Sequence, residues 1–305
     1  MNIQDIQKLY GVLPQGDALM KTMEEKSVRT VFLQGLLASA TPMFFASIVK
    51  RWQKTMLFVL NDNDEAGYFY NDLKTIVMPD NANEQTAEVL FFPSSYRRAV
   101  KYGQRDAGNE ILRTEVLSRL SVINEEKTTS SLPLCIVTEP SALAELVVAK
   151  HKLDEHTLSI SVGQTIDLTE TEKTLRSYGF QQVDYVYEPG QFAVRGSILD
   201  VYSFSSELPY RIDFFGNDVD TIRTFEVETQ LSKDKKEKVE IVPELATLSE
   251  EKIPFLQFLP KESVLVMKDL LYIHDTIERI YNEGFTAQAL TEQLEGRTEI
   301  EQNEL

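Results

Sequence analysis

The chain has 305 residues, enough for about two or three domains, and its 42% of hydrophobic residues excludes a globally disordered protein. Its formal net charge is −17, so its overall field repels phosphate and disfavours nonspecific nucleic-acid binding. The one cysteine, Cys135, cannot form an internal disulfide, and the three histidines lack neighbouring ligands, so we predict no metal site. The sequence contains neither an apolar run as long as a membrane span nor a secretory signal, and we expect a cytoplasmic protein.

The N-terminal half alternates predicted strands with predicted helices, after two helices in residues 1–25 that a break at residues 11–16 separates. The strands are predicted at Val28–Leu37, Met56–Leu60, Val89–Phe92 and Leu134–Val137, and the helices at Met43–Gln53, Asp64–Ile76, Glu110–Asn124 and Ser141–Val148. This alternation predicts an α/β fold with a doubly wound, mostly parallel sheet. A later strand at Val264–Met267 can join that sheet, and a helix at Asp269–Asn282 and an exposed acidic segment at Glu292–Leu305 follow it.

The connection between the first predicted strand and helix has the position of a phosphate-binding loop. Such a loop needs G-x-x-x-x-G-K-[ST], in which glycines curl the backbone round phosphates, lysine reaches them and the hydroxyl holds magnesium. Gly35 fits the first glycine, but Ala40, Thr41 and Pro42 replace the second glycine, the lysine and the hydroxyl residue. Pro42 also removes a backbone donor. The residues alone favour an ordinary connection, so we predict no nucleotide cofactor and no catalytic residue.

Residues Tyr187–Phe225 have the pattern of a β-meander, with turns at residues 189–190, 207–209 and 216–218. Alternation places Arg195, Arg211 and Arg223 on one face, where guanidinium groups can bind carboxylates of an acidic partner or a phosphate. The alternative, which the pattern alone favours, is that these arginines pair across the sheet with Asp200, Asp213 and Asp220.

Three flanking segments carry weaker signals. Thr169 is a candidate N-cap with Glu172 as its capping-box partner, and Gly179 is a candidate C′ residue of the same helix. The charged residues Leu231–Lys238 are predicted to form a hairpin loop. In the segment Phe91–Tyr102, Arg97, Arg98 and Lys101 stand among aromatic residues; they can contact phosphate, but a solvated loop is the favoured interpretation.

The runs EPGQFAVRGSILDVY and ELPYRIDFFGNDVDTIRTFEVETQ resemble the N-terminal region of the bacterial transcription-repair coupling factors and, more weakly, the second domain of the excision-repair protein UvrB. The resemblance extends at lower identity from about Val31 to about Pro243. It implies a degenerate P-loop NTPase or helicase-like domain at residues 1–155, interrupted by a smaller α+β domain at residues 156–245. Residues 246–305 would then return to the first domain. The loop at Gly35 looks like a relic of the nucleotide site that UvrB retains.

The resemblance implies a protein-interaction module that recruits UvrA to stalled transcription complexes in nucleotide excision repair and has no ATPase activity of its own. Arg195 matches an arginine of the UvrB motif, whereas Ala193 stands where UvrB has a second arginine, and Gln182 stands near a third. Aromatic residues are favoured at interfaces, and a glycine lets a partner approach the backbone. The candidate partner-binding residues are therefore Arg195, Phe192, Gly196, Tyr187, Gln182 and Arg211.

Two other functions stay open. The chain can be a fragment of an ATP-dependent DNA translocase that binds DNA directly, or an autoinhibitory clamp that holds the C-terminal domains of its parent protein. The family implies that the motor, the RNA polymerase contact and the DNA contact lie in other parts of a longer parent, and the ending without a motor indicates a fragment. Because the chain lacks an intact G-K-[ST] loop and a D-E-x-H pair, we expect it not to be an enzyme by itself.

Overall fold

The computed structural model describes residues 3–25, 27–78, 86–95, 107–125, 132–245 and 251–284. The chain divides into two compact units. The first contains the described residues of 1–94, 126–144 and 259–305, and the second contains those of 95–125 and 145–258. The domain boundaries at residues 155 and 245 that the resemblance implies stay predictions, and the predicted segment Glu292–Leu305 lies outside the described residues.

Helices and strands are numbered in chain order. The helices are α1 (Ile3–Gly11), α2 (Pro14–Glu24), α3 (Ala40–Trp52), α4 (Asn63–Val77), α5 (Ala107–Glu125), α6 (Pro140–Ala144), α7 (Lys150–Glu155), α8 (Leu168–Ser177) and α9 (Leu270–Gly284), with a 3-10 helix at Phe255–Phe258. The strands are β1 (Met56–Val59), β2 (Glu88–Phe92), β3 (Leu134–Thr138), β4 (Leu146–Val148), β5 (Leu158–Ser161), β6 (Gln181–Gln182), β7 (Gln191–Arg195), β8 (Ile198–Val201), β9 (Tyr210–Phe215), β10 (Asp218–Phe225), β11 (Ser232–Lys236), β12 (Lys238–Ile241), β13 (Lys252–Pro254) and β14 (Val264–Met267).

The first unit is built on a four-stranded parallel sheet in the order β14-β1-β3-β2. All residues of β1 and β3 are buried, as expected for central strands that are covered on both faces. Phe58 on β1 lies between Phe45 of α3 and Phe69 of α4, with ring centroids 5.1 and 5.0 Å away. The α/β class and the place of β14 in this sheet are confirmed, whereas a P-loop type of fold stays a prediction.

Two predictions in the first 150 residues are wrong. Residues 28–37 form no strand, because Phe32 and Leu37 are 87% and 79% exposed and Gly35 takes a left-handed φ of 93°. The helix predicted at Ser141–Val148 ends at Ala144, and β4 follows it, paired antiparallel with β13. The branched side chains of Val147 and Val148 are buried in this pairing, and such residues favour strands.

The second unit contains a six-stranded sheet in the order β11-β10-β9-β8-β7-β6, and only its β6–β7 pair is parallel. Strict alternation on β9 buries Tyr210, Ile212 and Phe214 in a core that also contains Leu175 of α8. The opposite side of the sheet has a smaller apolar cluster, which Val186, Ala193, Tyr202 and Phe225 form. The predicted meander is confirmed for β7 to β10, and β12 pairs separately with β5.

Two local predictions in this unit are corrected. The segment predicted as a charged loop contains β11, an edge strand paired with β10 in which all five residues are exposed. An edge strand bonds to one neighbour only, so its polar side chains can remain in water. The N-cap of α8 is Asp167 instead of Thr169, because its carboxylate accepts hydrogen bonds from Thr169 N and Glu170 N at 2.7 and 3.3 Å. Gly179 follows the helix with a φ of 83° and so confirms its predicted C′ position.

Candidate functional site

One side of the six-stranded sheet carries charged residues where the other side carries the core. We call this surface the arginine face and define it by Arg195 (β7), Asp200 (β8), Arg211 and Asp213 (β9) and Arg223 (β10). In the antiparallel register Asp200 lies opposite Arg211, and Arg211 lies opposite Arg223. The alternation that buries the apolar half of each strand therefore gathers these charges on a single surface.

Asp200 is the centre of the arginine face and has no solvent exposure. Its two carboxylate oxygens accept from Arg211 Nε at 2.8 Å and from Arg211 Nη2 at 2.9 Å, a bidentate pair. Arg195 donates to the same carboxylate from its Nη2. The hydrogen bonding that Arg211 donates to Asp200 raises the pKa of Arg211, whereas burial acts in the opposite direction. Two guanidinium groups thus share one carboxylate, which leaves a positive charge on the surface.

Arg195 lies at the exposed end of this cluster, and 35% of its side chain is accessible. Its Nη1 donates to the carbonyl oxygen of Asp184 at 3.0 Å, and its guanidinium carbon lies 4.8 Å from the centroid of the Tyr185 ring. Tyr185 is 52% exposed, so the cation and the ring are both available to a partner. The alternative of a cross-strand pair with Asp200 is confirmed, and the pair leaves Arg195 partly exposed.

The other two arginines are more covered. The Arg211 side chain is 14% exposed, with its Nη1 donating to Gln230 O at 3.0 Å and its guanidinium 4.5 Å from the Phe225 ring centroid. Arg223 donates to Asp213, which also accepts from Thr221 Oγ1 at 2.9 Å. These contacts make Arg211 chiefly a structural residue and give Arg223 one carboxylate partner.

The remaining candidate residues have different surroundings. Phe192 is fully buried in the core on the opposite side of the sheet, so the prediction of an exposed aromatic anchor there is corrected. Gln182 is exposed and accepts a hydrogen bond from Arg176 of α8. Tyr187 is 56% exposed and donates its backbone N–H to Gln191. Gly196 has a φ of 64° with open space at its missing Cβ, which suits the tight β7–β8 turn.

This surface also contains two exposed aromatic residues that the sequence patterns did not identify. Tyr185 stacks on Arg195, and Phe215 is 82% exposed at the β9–β10 turn. Phe215 is on the same side of β9 as Arg211 and Asp213, since these three residues are two positions apart. Strand alternation could have identified Phe215, because its neighbour Phe214 is a core residue.

The loop with the position of a phosphate site has its helix donors occupied. In the first turn of α3, Ala40 N donates to Leu37 O at 3.0 Å and Thr41 N donates to Ala38 O at 3.2 Å. Pro42 has no N–H, and the next N–H, of Met43, donates to Ser39 O at 3.2 Å. Ser39 Oγ donates to the carboxylate of Asp72 at 2.8 Å, which adds negative charge beside the helix start. Phosphate binding at a helix N-terminus needs free N–H groups, so this geometry is unfavourable for it.

Two other groups of charged residues were candidates for a site. The side chains of His274, Asp275 and Glu278 bring potential metal ligands within 4.8 Å of one another, but all three are exposed, a common arrangement without an ion. Arg97, Arg98 and Lys101 lie outside the described residues. Within the described ranges, no helix has both the length and the apolar character that a membrane span requires.

Comparison with known proteins places the arginine face inside a recognised domain. Residues 158–246 match the family model of the UvrB interaction domain. The transcription-repair-coupling factor of Escherichia coli (strain K12) is 33% identical over 128 residues, which are 42% of this chain and 11% of that protein. The protein of the same name from Bacillus subtilis (strain 168) is 26% identical over 237 residues, 74% of this chain and 18% of that protein. The protein of the same name from Staphylococcus aureus (strain NCTC 8325 / PS 47) is 38% identical over 86 residues, which are 28% of this chain and 7% of that protein. The chain thus spans a small part of the length of these relatives.

Proposed function

We propose that the chain is a protein-interaction module of transcription-coupled DNA repair, because residues 158–246 match the family model of the UvrB interaction domain and the chain is similar to transcription-repair-coupling factors. Its partner is UvrA, which it recruits to stalled transcription complexes in nucleotide excision repair. The contact is made by the arginine face, and the module itself is not an enzyme. Contacts with RNA polymerase and DNA belong to other parts of the longer parent protein.

The observation that carries this proposal is the exposed Arg195–Tyr185 stack, held in place by the buried carboxylate of Asp200. Arginine and tyrosine are enriched among residues that dominate binding energy at interfaces. Because Asp200 and the Asp184 carbonyl already fix the guanidinium, little side-chain freedom remains to be lost when a partner docks. The surplus positive charge of the cluster favours a partner surface that presents carboxylates.

The test is a titration of the chain with purified UvrA, comparing wild type with Arg195→Ala. We expect the variant to lose about 2–5 kcal/mol of binding free energy if the guanidinium is buried in the contact, and less at its rim. The variant should fold, since Arg211 keeps its two hydrogen bonds to Asp200. Thermal melts check the fold.

Arg51→Ala is the matched control, because it removes the same charge from the other unit, where Arg51 makes an exposed ion pair with Asp17. The affinity of Arg51→Ala for UvrA should equal that of wild type. Arg211→Ala is less suitable as a comparison, since it removes two of the three hydrogen bonds that arginines donate to the buried Asp200 carboxylate. An unchanged affinity of correctly folded Arg195→Ala would refute the proposed interface.

The two alternative functions are less well supported. A translocase fragment needs a nucleotide site, and the occupied N–H groups at the start of α3 disfavour one. An autoinhibitory clamp on the C-terminal domains of the parent would use a surface of this module and can coexist with UvrA binding. If both used the arginine face, the C-terminal domains added in trans would compete with UvrA for the wild-type chain.

A further inference from the structure

Three cations lie side by side on adjacent strands at one end of the arginine face. Arg211 is directly opposite Arg223, and Arg223 is directly opposite Lys235 on the edge strand β11. Directly opposed residues of neighbouring antiparallel strands have Cβ atoms about 5 Å apart, and like charges in such pairs destabilise the sheet. Departures from such rules of stability are expected at functional sites, so this row of Arg211, Arg223 and Lys235 indicates one.

The carboxylates on this face neutralise only part of the row. Asp200 pairs with Arg211, and Asp213 pairs with Arg223 while also accepting a hydrogen bond from Thr221. Lys235 is exposed and has no carboxylate partner among the described residues. In addition, Arg223 Nε is buried without a hydrogen-bond partner in the described part of the chain. Buried donors of this kind are normally satisfied, and an unsatisfied one needs an explanation.

We propose that Arg223 and Lys235 form a second contact for the carboxylates of the acidic protein that docks on Arg195. This inference rests on the proposed function and extends its surface from β7 across the sheet to the edge strand β11. Three strand spacings separate β7 from β10 and four separate it from β11, so Arg223 and Lys235 lie about 14 and 19 Å from the Arg195 contact. The partner therefore presents acidic side chains at both ends of a span of this length.

A protein carboxylate fits this row better than the phosphate of a nucleic acid does. The chain as a whole has a formal net charge of −17, and a long polyanion would extend beyond the row into that negative field. A protein partner can place a few carboxylates opposite the cations without bringing further negative charge near the rest of the surface.

The experiment reverses one charge on each side of the same strand in the full chain. Lys235→Glu reverses a charge on the side of β11 that continues the arginine face, because Lys235 lies opposite Arg223. Lys236→Glu makes the same change one residue away, opposite Ile222 and therefore on the core side of the sheet edge. Both residues are exposed, so both variants should fold, which thermal melts verify. We expect Lys235→Glu to raise the Kd for purified UvrA by about fivefold or more and Lys236→Glu to change it by less than about twofold.

Arg195→Ala, measured in parallel, separates this inference from the proposed function. Weaker binding by Arg195→Ala together with wild-type binding by Lys235→Glu overturns the second contact and leaves the proposed function intact. If Lys235→Glu and Lys236→Glu weaken UvrA binding equally, the second contact is also overturned, because the effect then reflects only the overall charge of the edge strand. If Arg195→Ala binds like wild type, the proposed function fails and the inference with it. If a labelled DNA duplex binds the wild-type chain but not Lys235→Glu, the row of cations binds phosphate, and the inference is overturned.

Discussion

A carboxylate without solvent contact, such as that of Asp200, is costly unless neighbouring cations and hydrogen bonds compensate it. Asp200→Asn removes the charge and leaves the guanidinium groups of Arg195 and Arg211 next to each other. Breaking a buried ion pair by removing one partner is strongly destabilising, and we expect the free energy of unfolding to fall by about 3 kcal/mol. Urea unfolding of wild type and variant measures this change.

Asp213→Asn is the matched control for that prediction. Asp213 is 22% exposed and pairs with one guanidinium, so water can replace part of what the substitution removes. We expect its effect on the free energy of unfolding to be clearly smaller than that of Asp200→Asn. Equal effects would show that Asp200 is not the centre of the cluster.

Some of the site was predictable residue by residue, and some was not. Side chains alternate between the two sides of a strand, so Arg195 and Phe192, which are three positions apart, lie on opposite sides of β7. The same rule that exposes Arg195 therefore buries Phe192, and the anchor role predicted for Phe192 conflicted with it. Tyr185 lies in the irregular segment between β6 and β7, where no periodicity applies, so only the folded structure shows its stack on Arg195.

Among the elements, α8 gives a direct test of how its start is specified. Asp167 accepts from two backbone N–H groups of the first turn, whereas Thr169 lies inside the helix. We expect Asp167→Ala to lower the free energy of unfolding by about 1 kcal/mol, since the two donors lose their partner. Thr169→Ala should change it much less, and chemical denaturation of both variants measures the difference. A larger effect for Thr169→Ala would restore the capping box predicted from the sequence.

The elements that sequence patterns predicted well are those whose side chains report burial. Met56–Val59 and Leu134–Val137 are continuous apolar runs, and both lie in buried parallel strands. The strand predicted at Val28–Leu37 is wrong, because Phe32, Leu33 and Leu37 are exposed and an apolar composition does not itself provide a neighbouring strand. β11 failed in the opposite way, since five exposed polar residues join the sheet through backbone hydrogen bonds, which leave no signal in the side-chain pattern.

At the scale of the whole chain, the first unit is made of segments that are distant in sequence. β14 lies beside β1 with Val264 opposite Met56, although the whole second sheet is encoded between them. A local pattern predicts that Val264–Met267 is a strand but not which strand it joins. The resemblance implied the return of the chain to the first domain, and the pairing of β14 with β1 supplies the contact.

The last prediction concerns the nucleotide-binding capacity of the whole chain. A bound triphosphate needs free backbone donors and a cation at the start of a helix, and α3 offers neither. Ala40 and Thr41 already donate within the preceding turn, Pro42 has no N–H, and Asp72 adds negative charge next to Ser39. We therefore expect calorimetric titration with ATP and magnesium to show no binding heat, with an intact P-loop protein as the positive control.

Micromolar ATP affinity would contradict this prediction, and substitutions then locate the site. Asp72→Asn removes the nearby negative charge and frees Ser39 Oγ from a charged acceptor. If the loop binds phosphate after all, Asp72→Asn should strengthen the binding, because the repulsion between carboxylate and phosphate is gone. If Asp72→Asn leaves the affinity unchanged, the nucleotide binds elsewhere, and the start of α3 remains the plain loop-to-helix connection that its hydrogen bonds describe.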